Sequence, residues 1–128
     1  MSSFRRIILP GGFMLIYKII DKSILEKAKE KGSFAGASID LEDGYIHFST
    51  AETLIETCRL HFREQQSLAL FAVESEDLGP ALKWEKSRGG QLFPHLYSEL
   101  ATDQIKWSSL LPLDENQKHL FPDLETGK

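Results

Sequence analysis

Apolar residues in this chain fall into short runs whose spacing changes repeatedly, and each change marks an element. Met14 to Ile20 is a compact apolar strand with Tyr17 and Lys18 inside it. Asp21 then offers an N-cap, and Ile24, Leu25 and Ala28 recur at helical spacing until Gly32 ends the helix. Ser33 to Asp43 shows no strong period and reads as a loop. From Tyr45 to Ser49 the pattern alternates, with Tyr45, His47 and Ser49 on one face and Ile46 and Phe48 on the other. This strand runs directly into a second helix, whose buried face is marked by Ala51, Leu54, Ile55, Cys58 and Phe62. Leu68 to Glu74 and Leu82 to Lys86 read as strands separated by a turn at Asp77 to Pro80. Arg88-Gly89-Gly90 breaks the chain before another alternating strand. That strand places Phe93, His95 and Tyr97 on one face and Leu92 and Leu96 on the other. A last strand, Gln104 to Leu111, precedes a polar tail.

The order β-α-β-α followed by strands predicts an α+β fold, with two helices in the N-terminal half on small, mostly antiparallel sheets. At 128 residues the chain has the length of one domain with a real core, expected over residues 14–113 with a polar tail at 114–128. Pro10-Gly11-Gly12-Phe13-Met14 can be encoded by a purine-rich bacterial ribosome-binding sequence followed by a start codon. Met14 is therefore the expected natural start, with residues 1–13 a disordered leader.

Composition narrows the function classes. A formal net charge of −4 argues against a general nucleic-acid binder, which needs clustered Lys and Arg to neutralise phosphates. No apolar run approaches the roughly 18 residues of a membrane span. The single cysteine, Cys58, rules out an internal disulfide and fits a reducing, cytoplasmic compartment; on the apolar side of a helix it reads as a small buried hydrophobe. A monomer or weak dimer is expected.

The two alternating strands carry the chemistry. Each buries aliphatics on one face and shows a histidine beside Ser or Tyr on the other, which builds a polar cleft on an apolar core. Ser49-Thr50-Ala51-Glu52 has the form of a capping box, so Ser49 reads as a helix cap. The same helix start presents free backbone N–H groups suited to phosphate. Pro94 before His95 confines that strand to an edge or a bulge, where side chains are re-aimed into clefts. Glu85 supplies a carboxylate near the second histidine strand, or is an exposed strand charge. Arg88 brings a two-pronged phosphate ligand ahead of two glycines that permit positive φ and close approach of a ligand. No metal site is expected: the four histidines (His47, His61, His95, His119) lack zinc-like spacing and there is one cysteine.

Asp-Gly-Tyr-Ile-His-Phe-Ser-Thr-Ala-Glu at Asp43 to Glu52 and Gly-Gly-Gln-Leu-Phe-Pro-His-Leu-Tyr at Gly89 to Tyr97 resemble the paired hallmarks of the bacterial family known as domain of unknown function 952. The likeness covers roughly Met14 to Pro112. That family's fold is similar to the ADP-ribosyltransferases and RNA 2′-phosphotransferases, which hold NAD or ADP-ribose between two small sheets. The resemblance thus implies an ADP-ribosyltransferase-like fold with a split-sheet cleft. Ile46-His47-Phe48-Ser49 looks like the second half of the phosphotransferase His-x-His-x-Ser motif. Tyr17 matches the first-strand Tyr-His-Gly of those enzymes, with Lys18 in place of the histidine. Where the transferases carry a late-strand glutamate, this chain has His95 and Tyr97. The implied ligand is a nucleotide such as NAD or ADP-ribose, and the implied reaction, for an enzyme, is transfer or hydrolysis of an ADP-ribosyl group. On this reading Tyr17 and Lys18 line the ligand site and His47 hydrogen-bonds ribose. Ser49, Thr50 and the helix start lie near phosphate with Arg88, Tyr97 stacks on a ring, and His95 or Glu85 is the acid or base. The alternative is a non-catalytic module of the same fold that binds a small metabolite or a protein tail.

Overall fold

The computed structural model describes residues 8–9 and 13–128, so most of the expected leader lies outside the described residues. β1 (Ile8–Leu9) pairs with the start of β2 (Phe13–Asp21). α1 (Lys22–Lys31) follows at once, because Asp21 turns its carboxylate onto the Ser23 N–H at 2.8 Å and caps the first turn. Gly32 closes α1 at φ 91°, a left-handed conformation that costs glycine little.

The stretch expected as a loop holds two elements, β3 (Ser33–Phe34) and α2 (Ser38–Asp43). α2 escapes a periodicity reading because its buried residue is a carboxylate, Asp40. The first histidine strand is shorter than expected: β4 spans Ile46–His47, and Ser49 makes an isolated bridge to Tyr17. α3 (Ala51–His61) starts one residue late for a Ser49 cap. Ser49 is still extended, with both backbone groups bonded to Tyr17 at 2.8 Å, so the cap passes to Thr50 and its box partner to Thr53.

β5 (Leu68–Glu74), β6 (Leu82–Lys86), β7 (Leu92–Leu96), β8 (Leu100–Ala101) and β9 (Ile105–Leu110) complete the fold. Every strand pairing is antiparallel, in a four-stranded sheet β1-β2-β5-β9, a three-stranded sheet β4-β7-β6 and the pair β3-β8. The protein is an α+β structure of several small antiparallel sheets and few helices.

β2 and β5 are buried on both faces. Ile16, Ile20, Phe71 and Val73 meet α1 and the three-stranded sheet through Leu25, Ala28, Ile46, Phe48 and Leu96. Leu15, Tyr17, Leu70 and Ala72 meet α3 through Leu54 and Cys58. Phe121 and Leu124 of the C-terminal segment close over this second cluster, and the Tyr17 hydroxyl donates to the Leu124 carbonyl at 2.9 Å. Three expected core positions are exposed instead: Ile24, Ile55 and Leu92. Each flanks a buried residue at a helix edge or strand end, where the apolar stripe is narrower than the sequence pattern.

Candidate functional site

The two larger sheets exchange backbone hydrogen bonds at one place among the described residues, the Tyr17–Ser49 bridge. A cavity of about 510 Å³ opens beside it, within the range of small-molecule sites (roughly 300–1,000 Å³). β2 contributes Tyr17, Lys18 and Ile19, and the β4 region contributes His47, Phe48 and Ser49. Phe93 and His95 come from β7, Arg88 from the turn before it, and Thr57, His61 and Phe62 from α3. None of the lining residues is a carboxylate.

The two strand histidines face one another across the ladder. His47 pairs with His95 in the β4–β7 register, and their ring centroids lie 5.4 Å apart. The expectation of one shared cleft therefore holds geometrically. Tyr45 covers both rings, 4.5 Å from His47 and stacked on His95 at 4.3 Å.

Their surroundings differ. His47 Nδ1 lies 2.7 Å from Asp40 Oδ1 and its Nε2 lies 3.0 Å from Asp43 Oδ2. Each ring nitrogen of His47 thus has a carboxylate within hydrogen-bond reach. Both nitrogens are engaged within the protein, so a ribose contact of the kind expected for His47 would compete with Asp40 or Asp43. His95 is buried and reaches one carboxylate, with Nδ1 2.8 Å from Glu85 Oε1.

Asp40 is the hub beneath this wall. Its oxygens accept from Lys18 Nζ at 2.9 Å, from the Ala37 N–H at 2.8 Å and from the His47 N–H at 3.0 Å, besides facing the His47 ring. Burial alone would raise its carboxyl, but the His47 hydrogen bond and the Lys18 charge outweigh that and hold it at about 2. Burial pushes the Lys18 ammonium below the ordinary lysine range, and Asp40 opposes that shift. Gly36 makes room for the hub: at φ +124° a Cβ would sit 2.6 Å from Asp40 Cβ. Lys18 thus lines the cavity as a neutralised partner rather than a spare cation.

Arg88 is the cation left over. It makes no salt bridge to a described residue; one of its nitrogens donates to Thr57 Oγ1 at 3.2 Å, and the guanidinium lies 5.1 Å over the Phe93 ring. Its remaining donors are available to an anion. Gly89 and Gly90 adopt positive φ as expected, but a Cβ at either would meet open space. Both serve the turn before β7.

Ser49 lines the cavity, and its hydroxyl has no hydrogen-bond partner among the described residues although the residue is 6 % exposed. Thr50, the true cap, spends its hydroxyl on Thr53 and lies behind the lining. Tyr17 offers the cavity its position but turns its hydroxyl away to Leu124. Tyr97, expected to stack on a ligand ring, lies outside the cavity; its hydroxyl donates to Glu85 Oε1 at 2.7 Å and its ring lies 5.0 Å from Tyr45. Glu85 also stands outside, behind His95. Sequence reasoning missed Asp40, Thr57 and His61 as neighbours of the site. The Asp43–His47 contact had a signal in its four-residue spacing.

Among the described residues no group of three or more His, Cys, Asp or Glu side chains could hold a metal ion. Nor is any helix there long and apolar enough to cross a membrane.

The family profile described as Protein of unknown function (DUF952) matches residues 19–108. The crystal structure of Protein CC0527 from Caulobacter crescentus is 45% identical, with a TM-score of 0.80 over 84% of this chain and 94% of that one. The solution NMR structure of CC0527 is 46% identical, with a TM-score of 0.74 over 81% of this chain and 90% of that one. No curated protein matches the chain.

Proposed function

The chain belongs to the family of unknown function DUF952, and from its cleft we propose that it binds a phosphate-bearing nucleotide, NAD or ADP-ribose being the first to test. Transfer or hydrolysis of the ADP-ribosyl group is the reaction class this reading assigns. The observation that carries it is the charge arrangement of the cavity: a carboxylate-free lining in which Arg88 has no salt-bridge partner among the described residues and faces aromatic walls. An anion with a flat ring answers both features. The Ser49 hydroxyl, without a hydrogen-bond partner among the described residues, adds a donor on the same wall. Two small antiparallel sheets joined at one bridge and parting around the cavity support the ADP-ribosyltransferase-like reading of the fold.

A thermal-shift and calorimetry series with NAD, ADP-ribose and free ribose tests it. At 100 times its dissociation constant a ligand adds about 2.7 kcal/mol, a shift of several degrees for a domain of this length. ADP-ribose or NAD is expected to give that shift and Arg88→Ala to abolish most of it, while ribose gives none. No shift and no heat with either nucleotide sinks the reading. The rival, a non-catalytic module, draws on His47, whose two ring nitrogens are both occupied by carboxylates of the chain itself.

A further inference from the structure

The two histidines share a sheet and a wall but present opposite chemistry to the cavity. Glu85 Oε1 receives both the Tyr97 hydroxyl, at 2.7 Å, and His95 Nδ1, at 2.8 Å. Those hydrogen bonds, Tyr97's first and His95's second, hold the Glu85 carboxyl below the usual range, and Glu85 in turn pushes the Tyr97 phenol up to about 12. Glu85 is therefore an acceptor, and Nδ1 is the nitrogen that carries the proton toward it. Glu85 does not line the cavity, whereas His95 does. The ring consequently meets the cavity with its other edge, and Nε2 has no hydrogen-bond partner among the described residues. Tyr45, stacked at 4.3 Å and 26°, keeps the ring from rotating out of this plane.

We infer that His95 is the proton acceptor of the cleft, presenting a bare Nε2 lone pair to a ligand hydroxyl or water, with Glu85 and Tyr97 as its positioning residues and His47, both of whose ring nitrogens face carboxylates, without that role. The inference rests on the nucleotide reading for its substrate: the group it addresses is a ribose hydroxyl or the acceptor of a ribosyl transfer. In such a step the acceptor oxygen forms a bond to the ribosyl carbon. The bond from that carbon to the leaving group breaks, with its electron pair on the leaving group. The acceptor's proton passes to Nε2, from which the leaving group or solvent takes it. The arrangement is that of a base held in one tautomer by a carboxylate, reached here by a strand pair and not by a catalytic motif.

Long-range proton–nitrogen NMR on the full chain reads the tautomer of each histidine directly. The neutral His95 ring is expected in the Nδ1–H form, the minor form of free histidine. Glu85→Ala is expected to move it to the Nε2–H form, and Tyr97→Phe to weaken its preference. Glu85 is 38% exposed, so its loss leaves the fold intact and the spectrum interpretable. Added ADP-ribose is expected to shift the His95 Nε2 resonance, with the His47 nitrogens changing little. A wild-type ring protonated at Nε2, or a tautomer indifferent to Glu85→Ala, overturns the inference. ADP-ribose that binds while leaving Nε2 unmoved overturns it as well. If the tautomers behave as expected and ADP-ribose does not bind, the nucleotide reading falls and the acceptor assignment stands.

Discussion

Asp40 shows how much of the cleft hangs on one carboxylate. Removing its charge leaves the 7%-exposed Lys18 ammonium without its counterion and the His47 ring with Asp43 alone. Breaking a buried pair in this way costs about 3–5 kcal/mol, so Asp40→Asn is expected to lose stability on that scale in urea melts at pH 7. Its acid response follows with a definite sign. The folded carboxyl sits at about 2, below its ordinary 3.8, so the folded state binds this proton less readily than the unfolded one. The stabilisation is fully present above pH 4 and disappears as pH falls toward 2, amounting to about 2 kcal/mol. Urea midpoints measured from pH 6 to 2 are expected to fall less steeply in Asp40→Asn than in wild type. An equal slope in both defeats the assignment. Nothing in the sequence singled out Asp40, because its role depends on the fold bringing Lys18 of β2 beside Ala37 and His47, and only Asp43 and His47 stand at a spacing that shows. His47 and His95 themselves were legible, because strand alternation set each beside polar neighbours on an otherwise apolar strand.

Among the elements, those with apolar runs and caps were legible and those held by polar contacts were not. β5 matches the expected Leu68–Glu74 and α1 runs from its Asp21 cap to Gly32, since burial and capping act locally in the chain. α2 is the opposite case: its one buried residue is Asp40, so it leaves no apolar stripe to read. The start of α3 separates two residues that the sequence left confounded. Thr50→Ala is expected to cost about 0.5–2 kcal/mol as the loss of an N-cap. Ser49→Ala is expected to stay within about 0.5 kcal/mol, because its hydroxyl has no hydrogen-bond partner among the described residues, and to weaken nucleotide binding instead. Denaturation and calorimetry on the two variants check this pair. The reverse pattern makes Ser49 the structural residue.

For the molecule as a whole, the C-terminal segment is a working part of the core. Phe121 and Leu124 stand singly in a polar stretch, so periodicity could not find them, yet they pack over Tyr17 and Cys58. Cys58 is 2% exposed, burial pushes its thiol up to about 11, and its sulfur lies 3.4 Å from His119 Nδ1. A disulfide reagent at pH 8 is expected to label Cys58 slowly in the intact protein and quickly in a chain shortened after Pro112, which also melts lower. Fast labelling of the intact chain refutes this packing. The join between the sheets has another consequence. Tyr17 and Ser49 meet through main-chain atoms alone, N–H to carbonyl in both directions. Any residue but proline can make that seam, so the spacing of the walls is independent of the side chains that paper them. The cleft can be relined for a different guest, one position at a time, without being rebuilt.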